Sequence, residues 1–128
     1  MKLISKKTQY IFSAFLLLGL LSCFPQIHLR DLSKLRTGMS PEEPPRLMGV
    51  LPREVFEWSL AESKDRIIVQ SYVLSSGGEP GSTYFLAYKN GSLIFWGYPH
   101  EFARSSDPLI REIGKGAISR YDKSRYYP

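Results

Sequence analysis

The chain offers nucleophilic, acid–base or metal chemistry at few places, because it holds one cysteine and two histidines. Cys23 ends an uncharged run rich in Phe and Leu, and Pro25 follows two places later. A thiolate is strongly nucleophilic even at an ordinary pKa, so a cysteine there can accept a covalent group. Being alone, it cannot close an internal disulfide, and the domain must fold without such staples. His28 and His100 belong to no HxH or HExxH spacing and read as ordinary solvated or turn histidines. Glu42-Glu43 suits helix capping better than a catalytic carboxylate pair. The glycines of "SSGGEPGS" lack the GxxxxGK[ST] pattern of a phosphate loop, and no serine sits in a GxSxG elbow. The residue inventory therefore points away from an enzyme, with no cofactor and no metal expected.

What precedes Cys23 explains it. Lys2, Lys6 and Lys7 form a short basic segment, and Ile11 to Leu21 gives eleven residues without charge. That is the pattern of a secretory signal, a basic n-region before an apolar h-region. The apolar stretch falls short of the ~20 residues that a spanning helix needs. The four residues Leu20-Leu21-Ser22-Cys23 resemble the lipobox of bacterial lipoprotein precursors. That resemblance implies cleavage before Cys23 and a diacylglycerol on its thiol. It also implies a location in the bacterial envelope. Phe24 is not the aspartate that resembles an inner-membrane retention signal, so the expected site is the outer membrane, facing the periplasm.

Removing residues 1–22 leaves 106 of the 128, enough for one small domain. Three of the 17 basic residues lie in the signal, so the remainder carries 14 against 12 acids, a net +2. No run of adjacent Lys and Arg supports nucleic-acid binding. Residues 23–29 read as a lipidated tether, 30–118 as the domain, and 119–128 as a tail rich in Tyr and Arg. The aromatic content of 13% exceeds what so small a core consumes and leaves aromatic surface.

Within the domain, Leu29, Leu32 and Leu35 recur at three-residue spacing and predict a short amphipathic helix closed by Gly38. Ser40, Pro41 and Glu43 look like the start of a second helix, but Pro44 and Pro45 cannot donate its early backbone bonds. A short, irregular helix ending at Gly49 is expected. Leu32, Leu35 and Leu47 should anchor the pair. "VFEWSL" alternates as a strand, with a helix from Pro52 to Lys64 as the competing reading, and "RIIVQSYVL" is a β-branched strand. Asn90-Gly91 suits a type I′ hairpin. That turn places Leu86 opposite Phe95 and Phe85 opposite Trp96, which leaves both faces of the sheet apolar. Asp107 and Pro108 offer a start for a C-terminal helix with Leu109, Ile110, Ile113 and Ala117 as its stripe. The architecture expected is two-layer α+β, with two short helices on a three- or four-stranded antiparallel sheet.

The stretch "LRTGMSPEEPPRLMG" and the aromatic strands after it resemble the outer-membrane lipoproteins that accompany the β-barrel assembly machinery, the small-protein-A or outer-membrane-lipoprotein-A type. Leu35, Gly38, Met39, Ser40, Glu43, Leu47 and Gly49 match that family's helix pair. Trp58 and the Tyr84–Phe95 hairpin match its sheet. Pro44 stands where the family has Val, and the proline after the closing glycine is delayed to Pro52. The resemblance implies a non-enzymatic binding or scaffolding module of the envelope, with the assembly machinery as partner. The fold it implies is shared with secreted β-lactamase-inhibitor-like proteins, which leaves an inhibitory lipoprotein with another partner open. A small-ligand carrier or enzyme stands as the third class. The oligomeric state is open.

Tyr and Arg favour interfaces, so the expected protein-binding residues are Phe85, Trp96, Tyr121 and Tyr126. The sequence equally allows Phe85 and Trp96 to be core beneath the C-terminal helix. It also allows the basic aromatic tail to rest on the inner leaflet.

Overall fold

The computed structural model describes residues 26–75 and 81–126, with side chains as far as Asp122. The fold is α+β. Its elements run β1 (Ile27–His28), α1 (Leu29–Leu32), α2 (Glu43–Met48), β2 (Glu54–Ser59), β3 (Arg66–Ser75), β4 (Ser82–Lys89), β5 (Ser92–Gly97), α3 (Pro99–Ala103) and α4 (Pro108–Tyr126). β3, the longest strand, organises the sheet. On one side it pairs with β4, which pairs in turn with β5. On the other it pairs with antiparallel β2 through residues 66–71, and with parallel β1 through Leu74 and Ser75. The sheet is therefore mixed, and its parallel strand comes from residues that read as tether.

Side-chain alternation along β3 sorts the core into two clusters. Ile68, Tyr72 and Leu74 join Tyr84, Leu86, Tyr88 and Leu93 under Ile27, Leu35 and Met48 of the N-terminal segment. Ile67 and Val69 join Phe85 and Ala87 under Phe102 of α3 and Ile110, Ile113 and Ala117 of α4. Helices thus cover both faces. The first cluster carries three tyrosine hydroxyls, whereas the second is wholly apolar.

The Asn90-Gly91 turn forms as expected, with φ of 50° and 84°. Lys89 faces Ser92 and Tyr88 faces Leu93, but the register then shifts: Ala87 faces Phe95 and Leu86 faces Trp96. Ile94 is the extra residue of a β-bulge. A bulge of one residue reverses the facing of everything beyond it. Phe95 therefore turns to the Phe85 side and Trp96 to the Tyr84 side, the opposite of the expected arrangement. The bulged edge is bonded from outside. The Gly38 N–H donates to the Leu93 carbonyl at 2.8 Å, and the Leu93 N–H to the Met39 carbonyl at 2.8 Å.

α1 is shorter than its leucine spacing suggested, whereas α2 is the short helix ending at Gly49 that the prolines led one to expect. α1 stops at Leu32, so Gly38, at φ 96°, is no helix cap; it shapes the turn that reaches β5. Leu35 is buried all the same. In α2 the prolines occupy the first turn, where backbone N–H groups lack intrahelical partners anyway. Starting the helix at Glu43 turns Pro44 and Met48, one helical repeat apart, inward and leaves Leu47 exposed. Met48 thus replaces Leu47 as the anchor. Gly49 closes α2 in the left-handed region, at φ 70°, and donates to the Pro45 carbonyl at 2.9 Å.

At the other terminus, the Asp107 carboxylate accepts the Leu109 N–H at 2.9 Å and caps α4. The helix does not end near Ala117. It continues through Tyr126, so most of the segment that reads as a tail is helical. Gly114 and Gly116 fit this packing. A Cβ on Gly114 would lie 2.5 Å from the Phe102 Cβ, and one on Gly116 would lie 2.7 Å from the Trp58 ring.

Candidate functional site

Cys23 lies outside the described residues. Of the four residues expected to bind a partner, the structure brings Phe85 and Tyr121 together and places Trp96 on the other face of the sheet. Phe85 is fully buried and packs edge-on to Phe102 at 5.9 Å and to Tyr121 at 6.2 Å. It is core and offers no surface. Tyr121 is half-buried beside it, with its hydroxyl 3.2 Å from the Thr83 Oγ1. Tyr126 ends α4, and its side chain lies outside the described residues. Trp96 alone reaches the border of the other face, half-buried against the first cluster.

Two residues on from Trp96, Tyr98 packs edge-on to buried Tyr84 at 5.0 Å and stacks in parallel with His100 at 5.5 Å. The chain turns from β5 into α3 at this point. Pro99 occupies the first helical position, where its fixed φ suits the start of a helix. The Glu101 carboxylate accepts the Tyr98 N–H at 3.0 Å, which fixes that turn. The result is a strip of Trp96, Tyr98 and His100, with its first two members half-buried and His100 exposed. Half-burial of this kind holds a ring in one orientation while leaving an edge free for contact.

Beneath the strip the phenols are strongly perturbed. Burial, with the Glu101 carboxylate and Tyr98 nearby, pushes Tyr84 up to about 12. Burial raises Tyr72 and Tyr88 further, so all three stay protonated at neutral pH. Tyr88 donates to the Gln70 Oε1 at 2.6 Å, and the Gln70 Nε2 donates to the Pro41 carbonyl at 2.8 Å. This relay ties the N-terminal segment to the sheet. Tyr84 braces the strip directly, through its edge-on contact with Tyr98.

A second aromatic feature lies across the sheet. The Trp58 ring rests on Gly116 of α4, and the Arg120 guanidinium stands 4.1 Å above the ring centroid. Arg120 also donates to the Gly116 carbonyl at 3.0 Å, so the guanidinium is held in place over the indole.

The two histidines sit beyond opposite edges of the sheet, His28 in β1 and His100 after β5. They cannot act as a pair. Among the described residues no group of three or more His, Cys, Asp or Glu is placed to hold a metal ion. An open cleft of about 420 Å³ lies between the β2–β3 turn and the start of α4, lined by Leu60, Glu62, Ser63, Asp65, Leu109 and Glu112 among others. Asp65 pairs with the Lys89 ammonium at 3.9 Å and serves the turn, accepting from the Asn90 Nδ2 at 2.8 Å; the Asn90 bond holds its carboxyl below the usual carboxylate range.

Trp96 was an expected site residue, His100 was expected to be an ordinary solvated or turn histidine, and Tyr98 was not expected at all. The signal that could have grouped the three is "WGYPH", an aromatic alternation interrupted by a helix-starting proline. Comparison of the chain with models of known families, with curated proteins and with solved structures finds no match.

Proposed function

We propose that the chain is a lipid-anchored protein of the bacterial envelope, attached through Cys23, whose folded domain binds another protein. In this reading it works as a scaffolding or accessory module without enzymatic turnover. The observation that carries the binding half is the Trp96–Tyr98–His100 strip. It is a half-exposed aromatic surface, with Tyr98 packed edge-on to buried Tyr84. Trp and Tyr combine large contact area with a polar atom, which is why they dominate the energetics of interfaces. The anchoring half rests on the basic segment, the apolar run and Leu20-Leu21-Ser22-Cys23.

The resemblance to accessory lipoproteins of β-barrel assembly supplies the candidate partner class. One observation bears on that proposal in detail. The Gly38-Met39 pair, which belongs to the resembling motif, is the segment bonded to β5 at the bulge. A motif of this sort has a structural task here, locking the N-terminal segment against the strand that carries Trp96. An inhibitory lipoprotein with a soluble client would use the same surface and differ only in its partner.

A photo-reactive amino acid introduced at Trp96 in living cells tests this reading. A discrete protein adduct in the membrane fraction is expected, with none from the same group at Lys115 on α4. Equal adducts at both positions, or none at Trp96, would remove the surface.

A further inference from the structure

The large hydrophobic side chains most exposed among the described residues are Leu29 at 59%, Leu47 at 46%, Leu51 at 78% and Val55 at 55%. All four fall between residues 29 and 55, and none lies in the later part of the domain. The topology also gathers them. Leu29 follows β1, which pairs with the Leu74–Ser75 end of β3, and it shares an open cleft with His28, Arg30 and Ser75. Leu51 stands two residues before Arg53, whose N–H donates to the Ser71 carbonyl on the same edge of β3 at 2.7 Å. Val55 pairs with Gln70, which in turn holds the Pro41 carbonyl just before α2, the helix of Leu47. The four residues therefore surround one edge of the sheet, on the side covered by the N-terminal segment.

The sequence near them is equally uneven. In α1 an aspartate is buried while Leu29 faces outward. Asp31 accepts the His28 N–H at 2.9 Å and pairs with Lys34 at 3.4 Å, so its placement has a local reason; that of Leu29 has none inside the domain. Arg30, Arg36 and Arg46 are exposed among the leucines, and Glu42 and Glu43 are exposed at the start of α2. Long basic side chains beside leucines are the composition of a surface lying at a headgroup boundary, where the stems share the apolar layer and the charges reach phosphate.

From these observations we infer that the edge formed by Leu29, Leu47, Leu51 and Val55 lies on the lipid leaflet that holds the anchor. The inference rests on the anchored reading of Cys23. Chain length selects this occupant: five residues lie between Cys23 and Leu29, and the six fully extended steps span at most about 22 Å. The leaflet is thus always within reach of Leu29, the first of the four, at a high effective concentration that a free partner does not have. The arrangement turns α4 away from the membrane, since that helix covers the opposite face of the sheet. It orients the whole domain instead of leaving it on a loose tether.

The test uses the full chain, processed in cells, purified from membranes and reconstituted in vesicles of phosphatidylethanolamine and phosphatidylglycerol. Leu51→Cys and Lys115→Cys are each labelled with an environment-sensitive fluorophore, and acyl-chain-brominated lipids serve as quenchers. The unsubstituted protein is treated with the same label, which reports whether Cys23 is blocked. At Leu51 the probe should be blue-shifted and quenched at least about twofold more than at Lys115. With Cys23 blocked, equal quenching at the two positions overturns the leaflet surface and leaves the anchor standing. Energy transfer between labelled Leu51 positions that grows with protein density, without lipid quenching, assigns the edge to a second copy and likewise overturns it. A labelled Cys23 with a quenched Leu51 probe would remove the anchor while upholding the leaflet surface. A labelled Cys23 with an unquenched Leu51 probe would remove both.

Discussion

Trp96 lies opposite Leu86, and Phe85 lies opposite Gly97, so Trp96 and Phe85 sit on different faces of the sheet. The bulge at Ile94 causes this separation, and it gives the residues different fates. Phe85 is core; Trp96 is border.

Truncation should expose the difference. Phe85→Ala removes a ring enclosed by Phe102 and Tyr121 and should lower stability by about 3–5 kcal/mol. Trp96→Ala should cost about 1–2 kcal/mol, because its site is already open to water on one side. Urea unfolding of the two variants checks the ordering. Equal losses would mean that Trp96 is as enclosed as Phe85.

Gly114→Ala and Gly116→Ala should destabilise the protein, although alanine is the better helix former by about 1 kcal/mol. The added Cβ meets Phe102 in one case and Trp58 in the other. Overpacking of this kind costs about 1–3 kcal/mol. A rise in denaturation midpoint for either variant would show that α4 can move away from its neighbours freely.

Leu35→Ala should lower stability by about 2–5 kcal/mol, and Leu47→Ala should change it by no more than about 0.5 kcal/mol. Both are leucines of the N-terminal segment, but one is enclosed and the other faces outward. Thermal or urea unfolding checks the contrast, and a large loss at Leu47 would mean that α2 packs in the phase its spacing first suggested.

The pH dependence has two signs. The His28 N–H bond holds the buried Asp31 carboxyl below its usual pKa, with Lys34 adding to the effect. A lowered folded pKa gives stability that is present above the ordinary carboxylate value, about 4, and lost as pH falls below it. Asp31→Asn should therefore narrow the stability gap between neutral and acidic solution. Tyr84 works in the opposite direction. Its pKa is raised to about 12, so its contribution is full below the ordinary phenol value, about 10, and lost as pH climbs toward 12. Tyrosinate absorbance should rise in step with unfolding across that interval, and Tyr84→Phe should delay the alkaline transition.

Much of the fold was legible because its signals are local. Asn90-Gly91 dictates its turn, β3 announces itself by β-branched residues, and Asp107-Pro108 marks the start of α4. The bulge was not legible. Leu93-Ile94-Phe95-Trp96 is apolar at every position, so either register buries hydrophobic groups and no local pattern chooses between them. The choice is made by Gly38 and Met39, which bond Leu93 from 54 or more residues away. The far end of α4 was hidden for a related reason. Residues 119–126 lack a helical stripe, and contacts from other elements support the helix there, Arg120 on Trp58 and Tyr121 on Phe85. Of the candidate site, Trp96 was legible as an aromatic without a settled place. Tyr98 gained its place from Tyr84 beneath it, and His100 from its stacking on Tyr98.

The central claim, that the domain binds a protein through the Trp96 strip, is tested most directly by measuring partner affinity and thermal unfolding together for Trp96→Ala. The partner is the protein identified by the Trp96 crosslink, titrated against the wild-type and variant lipoproteins. The account predicts affinity at least about tenfold weaker, a loss of 1.4 kcal/mol or more, at a temperature where both proteins remain folded. Unchanged affinity in a folded Trp96→Ala protein would contradict it.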